Sequence, residues 1–552
     1  MTYQPTPDQQ DVIDAHDPVL LVRGGAGTGK TTTAAAAVRA HLQRHDSAQA
    51  HLPRGQRQPA RALFLSFSRT AVAQILERSA DILGPYRDRV QVTTYHAFAW
   101  RLLQQYGTAI GQPDPQLTSP AEARLLPTTV TVQYSDLLPA ALDICRVPAV
   151  VAHLRTRWSI IVCDEFQDTD QRQFDLLTAI RGGARLLLLC DPNQCIYSSL
   201  PGAIGVGRER LKAALALPGA KQITLPEASH RDATGVLPAA ATAIRRRDFR
   251  HDAITTALSD RRLRIYTSPD LKDEPDQVAA AIDELRAEGH TTIGVFSHHN
   301  DATTQLSDEL RARDIDHEII GLSDCLTASL KTQHAMIEFA AGTATWEQVR
   351  RELAVFVTSA VRGKHAPPLA QLILGERVQP TGLLAEKLTA LREQLAPRAA
   401  PIDLAAAAIH AADAHRMLSL SPGQRHWDHA AQLLAPMLTQ SLRRVGDRRD
   451  TASVLDHLQQ AITDRRTALL TNEIDGISAP IQLMGLYQTK GREADATIVV
   501  LRQDDFFGYE SEPFESGSRL LYVVLTRARH TTIILLLGSP PPLIAPLSAL
   551  AL

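Results

Sequence analysis

The sequence predicts an α/β protein whose strands form two separate parallel sheets. Short, continuous apolar runs such as WSIIVCDE and ARLLLLCD have the length of strands, and they alternate with longer Ala-, Leu- and Arg-rich segments of helical periodicity. Strands that are apolar on both faces are typical of parallel sheets covered by helices on both sides. The runs fall into two groups, one before about residue 240 and one from about residue 262 onward. We therefore expect two lobes, each with its own sheet.

Each group of strands is interrupted by a helix-rich stretch without strand signals. The first stretch is short, and the second is long and rich in Ala, Leu and Arg. Polar and Pro-containing residues from 51 to 61 predict a surface loop. The predicted layout is a first lobe (1–100 and 157–240), its helical insertion (101–156), a second lobe (241–340 and 479–540), its helical insertion (341–478) and a Pro-rich tail (541–552).

Length and composition limit the class of protein. A chain of 552 residues is too long for one hydrophobic core, so several domains are expected. An apolar content of 44%, a charged content of 21% and a net charge of −2 are those of an ordinary folded protein. They exclude a globally basic nucleic-acid binder, so any contact with a phosphate backbone has to be a local patch.

The pattern of cysteines and the length of the apolar runs predict where in the cell the protein is located. The cysteines form no CxxC pair and mostly lie in apolar runs, which predicts buried free thiols in a reducing cytoplasm. The N-terminal residues have neither a basic start nor an apolar signal core, and the longest apolar runs are too short to cross a bilayer. We expect a cytoplasmic protein without a membrane segment. The cysteines are Cys145, Cys163, Cys190, Cys195 and Cys325.

Residues 24–31 fit the G-x-x-x-x-G-K-[ST] pattern of a phosphate-binding loop. A strand-like run precedes them and a helix-forming segment follows, a context that argues against a chance glycine turn. Glycines allow backbone N–H groups to surround phosphates, a lysine adds a point charge, and the next hydroxyl can bind magnesium. The predicted nucleotide-binding residues are Gly24, Gly27, Gly29, Lys30, Thr31 and Thr32, with Thr31 also a Mg²⁺ ligand.

A second strand-like run, residues 160–163, ends in Asp164 and Glu165. At the carboxyl edge of a parallel sheet, Asp164 is predicted to bind Mg²⁺ and Glu165 to activate the attacking water as general base. A strand ending in Asp-Glu is by itself more often a solvated strand end, but here it follows a phosphate-binding loop in the same lobe. Together the two elements predict nucleotide hydrolysis, without separating a motor from a switch or a transporter ATPase.

The stretch DEFQDTD (164–170) closely resembles motif II of superfamily 1 helicases of the UvrD/Rep/RecB group. The neighbouring motifs follow in the order of that family, so the resemblance spans both lobes and leaves out only the insertions. It implies two RecA-like lobes, each with a helical insertion, that bind ATP between them.

The first lobe carries stretches similar to the early motifs of the family. PDQQ (7–10) resembles the Q motif, in which Gln9 would bind the adenine edge. LSFSRTA (65–71) and TTYHAF (93–98) resemble motifs Ia and Ib. The resemblance assigns DNA contacts to Phe67, Tyr95 and His96, with Phe67 and Tyr95 stacking on bases. The alternative for either aromatic residue is a core position next to a strand.

Two further stretches depart from the family pattern. DPNQCIY (191–197) is similar to motif III, where Gln194 would sense the γ-phosphate, but SSLPGA follows in place of the usual aromatic residue and arginine. This departure puts robust unwinding in doubt. SHRD (229–232) resembles motif IV, with His230 in place of the tyrosine that stacks on adenine. Arg231 would contact the γ-phosphate, and the alternative is an ordinary arginine at a helix start.

The second lobe ends in two further motifs. LMGLYQTKGRE (483–493) looks like motif V, in which Glu493 would approach the ribose and the loop with Lys490 would touch the DNA backbone. Gly485 and Tyr487 stand where the family has threonine and histidine. RLLYVVLTRAR (519–529) resembles motif VI, with Arg527 as the candidate arginine finger at the transferring phosphoryl group.

The resemblance implies a DNA-dependent ATPase that uses ATP and Mg²⁺ to travel 3′-to-5′ on single-stranded DNA and acts on junctions or tailed duplexes. Such motors serve DNA repair, recombination or phage defence. A DNA-gated ATPase switch, or a non-unwinding subunit of a larger complex, is the alternative. A nuclease or another subunit acting in trans is a further possible partner of such a motor. RNA as the track is a minor alternative, since no feature of the sequence reads a 2′-hydroxyl.

Overall fold

The computed structural model divides the chain into two compact units. The first comprises Met1–Ile110, Leu138–Gly321 and Asp475–Leu552, and the second Gly111–Leu137 and Leu322–Ile474. The structure describes residues 3–66, 81–126, 131–198, 204–226, 229–298, 300–319, 324–361, 363–376, 378–397, 403–420, 423–445, 450–471, 480–503, 505, 514–540 and 542–550.

The strands are short and mostly buried along their full length, as the continuous apolar runs predict. They are β1 (Val19–Arg23), β2 (Ala62–Ser66), β3 (Val90–Thr94), β4 (Gln116–Thr118), β5 (Thr131–Gln133), β6 (Ile160–Cys163), β7 (Arg185–Cys190), β8 (Ala220–Thr224), β9 (Leu263–Ser268), β10 (Ile293–Ser297), β11 (Glu318–Ile319), β12 (Ile481–Gly485), β13 (Ala494–Arg502) and β14 (Ala528–Leu537).

The helices lie between the strands and in the insertions. They are α1 (Pro7–Asp14), α2 (Lys30–Ala48), α3 (Tyr95–Tyr106), α4 (Pro120–Leu125), α5 (Leu137–Ile144), α6 (Pro148–Thr156), α7 (Gln171–Arg181), α8 (Arg208–Leu215), α9 (Val236–Arg245), α10 (Asp252–Ser259), α11 (Glu274–Ala287), α12 (Asn300–Arg311), α13 (Asp324–Ala340), α14 (Trp346–Ser359), α15 (Pro368–Leu374), α16 (Gly382–Leu395), α17 (Leu404–Met417), α18 (Gln424–Val445), α19 (Thr451–Thr471), α20 (Glu515–Leu525) and α21 (Ala545–Ser548).

The first unit contains two parallel sheets, which confirms the predicted α/β class. Their strand orders are β3-β2-β6-β7-β1-β8 and β11-β12-β10-β13-β14-β9. In the first sheet β1 pairs with β7 from Val19 opposite Leu186 onward, and β7 also pairs with β6. The carboxyl ends of β1, β7 and β6 therefore lie side by side, and the chain segments that follow them meet at one edge.

The boundary between the lobes and the chain end differ from the expected layout. Helix α9 spans the predicted boundary at residue 240 and packs in one apolar core with α20 of the second lobe. Residues 541–552 were predicted to form a tail, but Leu543, Ile544 and Leu547 are buried in that same core. The apolar residues between the prolines explain the difference, because they bury their side chains against the second sheet.

The second unit joins residues from both predicted insertions. Ala121 and Leu125 of α4 belong to the apolar core formed by α13 to α19. Arg124 donates hydrogen bonds to the carbonyl oxygens of Thr358 (2.6 Å), in the last turn of α14, and of Val361 (3.1 Å), just beyond it. Such bonds satisfy carbonyls that the helix end leaves without a partner. The two insertions were expected to be separate, but α4 completes the core of the second one.

The boundaries of the insertions also differ from the prediction. Of the first predicted insertion, 101–156, only residues 111–137 lie in the second unit, and the remainder, including α6 and nearly all of α5, packs in the first. The second unit takes residues 322–474 from the other insertion, against the predicted 341–478. The second insertion begins earlier than predicted because it includes helix α13, which is buried along much of its length within the second unit.

The predicted free thiols are free in the structure. Cys163, Cys190, Cys195 and Cys325 are buried, and Cys145 is half-buried. Within the part of the chain that the structure describes, no single helix is long and apolar enough to cross a membrane, and one pair of segments, Tyr134–Ile144 and Pro148–Thr156, reaches that length only jointly, across a bend of 94°.

Candidate active site

The phosphate-binding loop connects β1 to α2 at the edge of the first sheet. Gly27 and Gly29 adopt positive φ angles of 77° and 82°, which glycine tolerates without strain. A Cβ at Gly27 would lie 2.3 Å from the Oγ of Ser229, so this loop also needs glycine for space. Lys30 donates from Nζ to the carbonyl oxygens of Gly24 (2.9 Å) and Gly25 (2.8 Å). The ammonium is thus held over the concave side of the loop.

The two carboxylates after β6 face this loop. Thr31 donates from Oγ1 to Oδ2 of Asp164 over 3.2 Å, as expected for two groups that share a metal ion. Burial raises the pKa of Asp164 to about 6, and the neighbouring charge of Glu165 adds to the rise. Burial also raises the pKa of Glu165, but the charges of Lys490 and Lys30 outweigh it and hold that pKa below its ordinary value. Glu165 is therefore ionised at neutral pH, the state that a general base requires.

The backbone at Glu165 is strained. Its φ is 53°, in the left-handed region that residues other than glycine rarely adopt. Such strain costs on the order of 1–3 kcal/mol and persists only where surrounding contacts hold the residue, commonly at functional sites. Here the carboxylate accepts a hydrogen bond of 2.6 Å from Nε2 of Gln167, which is itself fully buried.

Arg527 reaches the site from the second lobe. It follows α20, is only 2% exposed, and donates from Nη2 to Oε1 of Gln194 over 3.0 Å. Gln194 donates in turn to Oδ2 of Asp191 over 2.8 Å. Burial lowers the pKa of Arg527 to about 10, and the nearby charge of Arg231 lowers it further. The side chain remains a cation at neutral pH and faces the carboxylates of the first lobe.

Arg231 and Glu493 form a second link across the site. Nη2 of Arg231 lies 2.5 Å from Oε1 of Glu493, and both side chains are nearly buried. Nη1 of Arg231 donates to the carbonyl oxygen of Thr526 over 2.6 Å. Arg529 lies 3.5 Å from the other oxygen of Glu493. In this structure Glu493 therefore serves as a counter-ion for two guanidinium groups, and a contact with a ribose stays a prediction.

Gln9 and His230 lie together at the outer end of the loop. Gln9 is 3% exposed and donates from Nε2 to the carbonyl oxygen of Thr28 over 3.2 Å. The same atom lies 3.4 Å from Nε2 of His230. A Cβ at Gly29 would lie 2.8 Å from Nε2 of Gln9, so the glycine lets this pair approach the loop. The pair has the amide and the flat ring that adenine recognition requires.

One cavity of about 460 Å³ unites these groups, a volume that accommodates a nucleotide. The predicted residues that line it are Gly27, Gly29, Lys30, Thr31, Thr32, Asp164, Glu165, Gln194, His230, Arg231, Glu493 and Arg527. Gln9 and Gly24 are not among the lining residues, but they contact His230 and Lys30 respectively. The structure therefore brings the predicted nucleotide-binding and catalytic residues of both lobes to one place.

The cavity also contains residues that the sequence did not single out. Thr28, Gly491 and Arg529 line it as well. Arg529 stands two positions after the predicted finger, and that spacing was its only signal. Asp168 was quoted within DEFQDTD but given no role, although it is buried and ion-paired with Lys490. The sequence did not single out Asp168 and Arg529 because their charged partners lie far away in the chain, and a local motif does not specify such pairs.

The predicted DNA-binding residues have different outcomes. Tyr95 is 1% exposed, and its hydroxyl lies 2.7 Å from Sγ of Cys163, so the prediction of base stacking is wrong in this structure and the core alternative holds. Lys490 is 2% exposed and ion-paired with Asp168, so the prediction that it touches DNA is also wrong here. His96 is half-buried in the first turn of α3. Phe67 lies outside the described residues.

Comparison with known proteins shows a similarity to DNA helicases. Residues 9–200 match a family model described as an AAA domain. The ATP-dependent DNA helicase PcrA of Bacillus subtilis is 23% identical over 389 residues, which are 57% of this chain and 50% of PcrA. Over these residues the chain is similar to UvrD/Rep-type helicases of superfamily 1.

Other helicases show the extent of the likeness. The ATP-dependent DNA helicase UvrD1 of Mycobacterium leprae is 22% identical over 398 residues, 57% of this chain and 49% of its own length. The chain thus spans about half the length of the curated helicases it matches. A solved structure, the Pif1 helicase from Candida albicans, aligns with 57% of this chain and 56% of its own at 13% identity, with a TM-score of 0.31 that is too low to argue from.

Proposed function

We propose that this protein is an ATP-dependent translocase or helicase on single-stranded DNA. The observation that carries the proposal is one cavity lined by Lys30, Thr31 and Asp164 of the first lobe and by Arg527 of the second. A triphosphate bound there would touch both lobes, so the loss of its γ-phosphate would change how the lobes are held together.

Each residue at the cavity would have one task in ATP hydrolysis. The backbone of the phosphate-binding loop and Lys30 would bind the β- and γ-phosphates, and Glu165 would accept the proton of the attacking water. Arg231 and Arg527 would neutralise the charge that develops on the transferring phosphoryl group. Thr31 and Asp164 would hold Mg²⁺, which would neutralise phosphate charge when bound.

The DNA track is supported by the names of the relatives. PcrA and UvrD1 are both named ATP-dependent DNA helicases. We propose 3′-to-5′ travel on single-stranded DNA, with tailed duplexes or junctions as substrates and DNA repair, recombination or phage defence as the setting. Cytoplasmic localisation belongs to the same proposal.

The ATPase rate with and without single-stranded DNA tests this function. We expect turnover that rises strongly with an oligo-dT strand and falls to background in Lys30→Ala. Lys212→Ala, on the exposed side of α8, is the matched control and should keep the wild-type rate. An ATPase rate that is the same with and without DNA would refute the proposal.

The second candidate is a DNA-gated ATPase switch or a non-unwinding subunit of a larger complex. Its support is the sequence after Tyr197, which lacks the aromatic residue and the arginine of the family; residues 199–203 of that stretch lie outside the described residues. Strand displacement by the purified protein separates the candidates. Unwinding of a 3′-tailed duplex and not of a 5′-tailed one supports the helicase and its polarity, whereas DNA-stimulated turnover without unwinding of either duplex supports the switch.

A further inference from the structure

Lys490 of the second lobe is buried among acidic groups of the first lobe. It follows a single turn after β12, and its Nζ is ion-paired with Asp168 and lies 3.3 Å from Oε2 of Glu165. Nζ also donates to the carbonyl oxygen of Gln194 over 3.3 Å and lies 5.5 Å from the centre of the Tyr197 ring. Each of these contacts reaches the segments after β6 and β7, beside the cavity.

Gln167 connects the carboxylates that Lys490 contacts. Its Nε2 donates to Glu165 (2.6 Å) and to Asp168 (3.3 Å), and its Oε1 accepts from the backbone N–H of Asp191 (3.0 Å). The arrangement is a buried network in which one ammonium and one amide hold two carboxylates. Removal of the ammonium would leave like charges close together without a counter-ion.

The burial of Lys490 decides between two roles for it. A lysine that holds the phosphate backbone of DNA needs an exposed ammonium, and that of Lys490 is enclosed by the first lobe. A simple structural ion pair would need only Asp168. The additional contact with Glu165 places the cation on the carboxylate that the proposed function uses as general base.

We propose that Lys490 is a positioning residue, which holds the carboxylate of Glu165 in its reactive orientation only while the loop after β12 is seated against the first lobe. This inference rests on the proposed ATPase function. The strained backbone of Glu165 supports it, because a residue in the left-handed region needs outside contacts to keep its conformation. ATP hydrolysis then depends on the arrangement of the lobes through Glu165 as well as through Arg527.

The test separates the rate of hydrolysis from the binding of ATP and of DNA. In Lys490→Met, which keeps the length of the side chain and removes its charge, we expect kcat to fall by about 10- to 100-fold, the cost of a misplaced catalytic group. The KM for ATP and the Kd for a fluorescent oligo-dT strand should stay within about threefold of the wild type. Lys331→Met, at the ion pair with Glu122 in the second unit, is the control and should leave all three values unchanged.

A second variant shows whether Lys490 acts through Glu165. Lys490→Arg keeps the charge with a wider head group, so we expect kcat to fall several-fold in the wild-type background and no further fall in Glu165→Gln. An equal fall in both backgrounds would overturn the proposal, and so would a weaker Kd for oligo-dT with an unchanged kcat at saturating DNA. If the wild-type protein does not hydrolyse ATP, the proposed function itself fails.

Discussion

Arg527 donates a hydrogen bond from Nη2 to Oε1 of Gln194, and this bond of 3.0 Å joins the two lobes. Gln194 follows β7 of the first sheet, whereas Arg527 lies between α20 and β14 of the second. Both side chains line the cavity. A γ-phosphate bound there would compete with Gln194 for the guanidinium, so the occupied and unoccupied cavity would hold the lobes by different contacts.

The Arg527 contact predicts a loss of catalytic rate. In Arg527→Ala we expect kcat for DNA-stimulated ATP hydrolysis to fall by about a thousandfold or more, the size of an arginine-finger effect. Binding of oligo-dT should change little, because the side chain is buried at the nucleotide cavity. Steady-state ATPase and fluorescence anisotropy measure the two effects. Arg261→Ala, at a largely exposed ion pair with Glu284, is the control. A wild-type rate in Arg527→Ala would contradict the assignment.

The pair of Gln9 and His230 predicts how tightly the adenine base is held. A tyrosine at position 230 offers a larger ring face than histidine, and stacking on a base contributes about 1–3 kcal/mol. We therefore expect His230→Tyr to lower the KM for ATP by about three- to tenfold. His153→Tyr, on an exposed position of α6, should leave it unchanged. An unchanged KM for ATP in His230→Tyr would show that the ring does not contact the base.

Arg124 predicts the stability of the second unit. Its guanidinium donates to the carbonyl oxygens of Thr358, Val361 and Gly363. Because hydrogen bonds from a charged group contribute more than neutral ones, Arg124→Ala should lower the free energy of unfolding by about 1–3 kcal/mol. Arg416→Ala, at a largely exposed pair with Asp413, should change it by less than about 0.5 kcal/mol. Urea unfolding of the full chain measures both, and equal effects would contradict the prediction.

His41 predicts a loss of stability in weak acid. Burial lowers its pKa from 6.5 to about 4, and the charges of Arg185, Arg44, His45 and His16 lower it further. The unfolded chain therefore takes up a proton between about pH 6.5 and pH 4 that the folded protein does not, so the folded state loses stability as the pH falls through this window.

Replacement of His41 should remove this dependence. We expect the Tm of His41→Gln to fall less than that of the wild type between pH 6.5 and pH 4, as measured by thermal unfolding at fixed ionic strength. His51→Gln, at an exposed position, is the control and should follow the wild-type curve. Parallel curves for the wild type and His41→Gln would show that this imidazole does not titrate differently on folding.

The sequence predicts those parts of the fold and the site that depend on local pattern. The phosphate-binding loop, the carboxylates after β6 and the two parallel sheets follow from runs of apolar residues, glycine spacing and strand ends. The resemblance to the family motifs assigns Arg231 and Arg527 to the same site, and in the structure both residues line one cavity.

The features that the sequence does not predict depend on contacts between side chains that are far apart in the chain. Tyr95 begins a helix directly after a strand, and only the packing against Cys163 shows that its ring faces the core. Lys490 lies in a motif that touches DNA in the family, and its pairing with Asp168 depends on a segment more than 300 positions away in the chain. The packing of α4 against α14 is likewise a contact between segments that are distant in the chain, and no sequence motif predicts it.

The composite core of the second unit has a consequence for protein engineering. A deletion of residues 111–137 would uncover the apolar surface that Ala121 and Leu125 now cover, and the remaining helices would be left with an aggregation-prone groove. A transplant of the second insertion into another protein would need a copy of α4 with it. Residues 111–137 and 322–474 therefore have to be changed together when either insertion is shortened, exchanged or grafted.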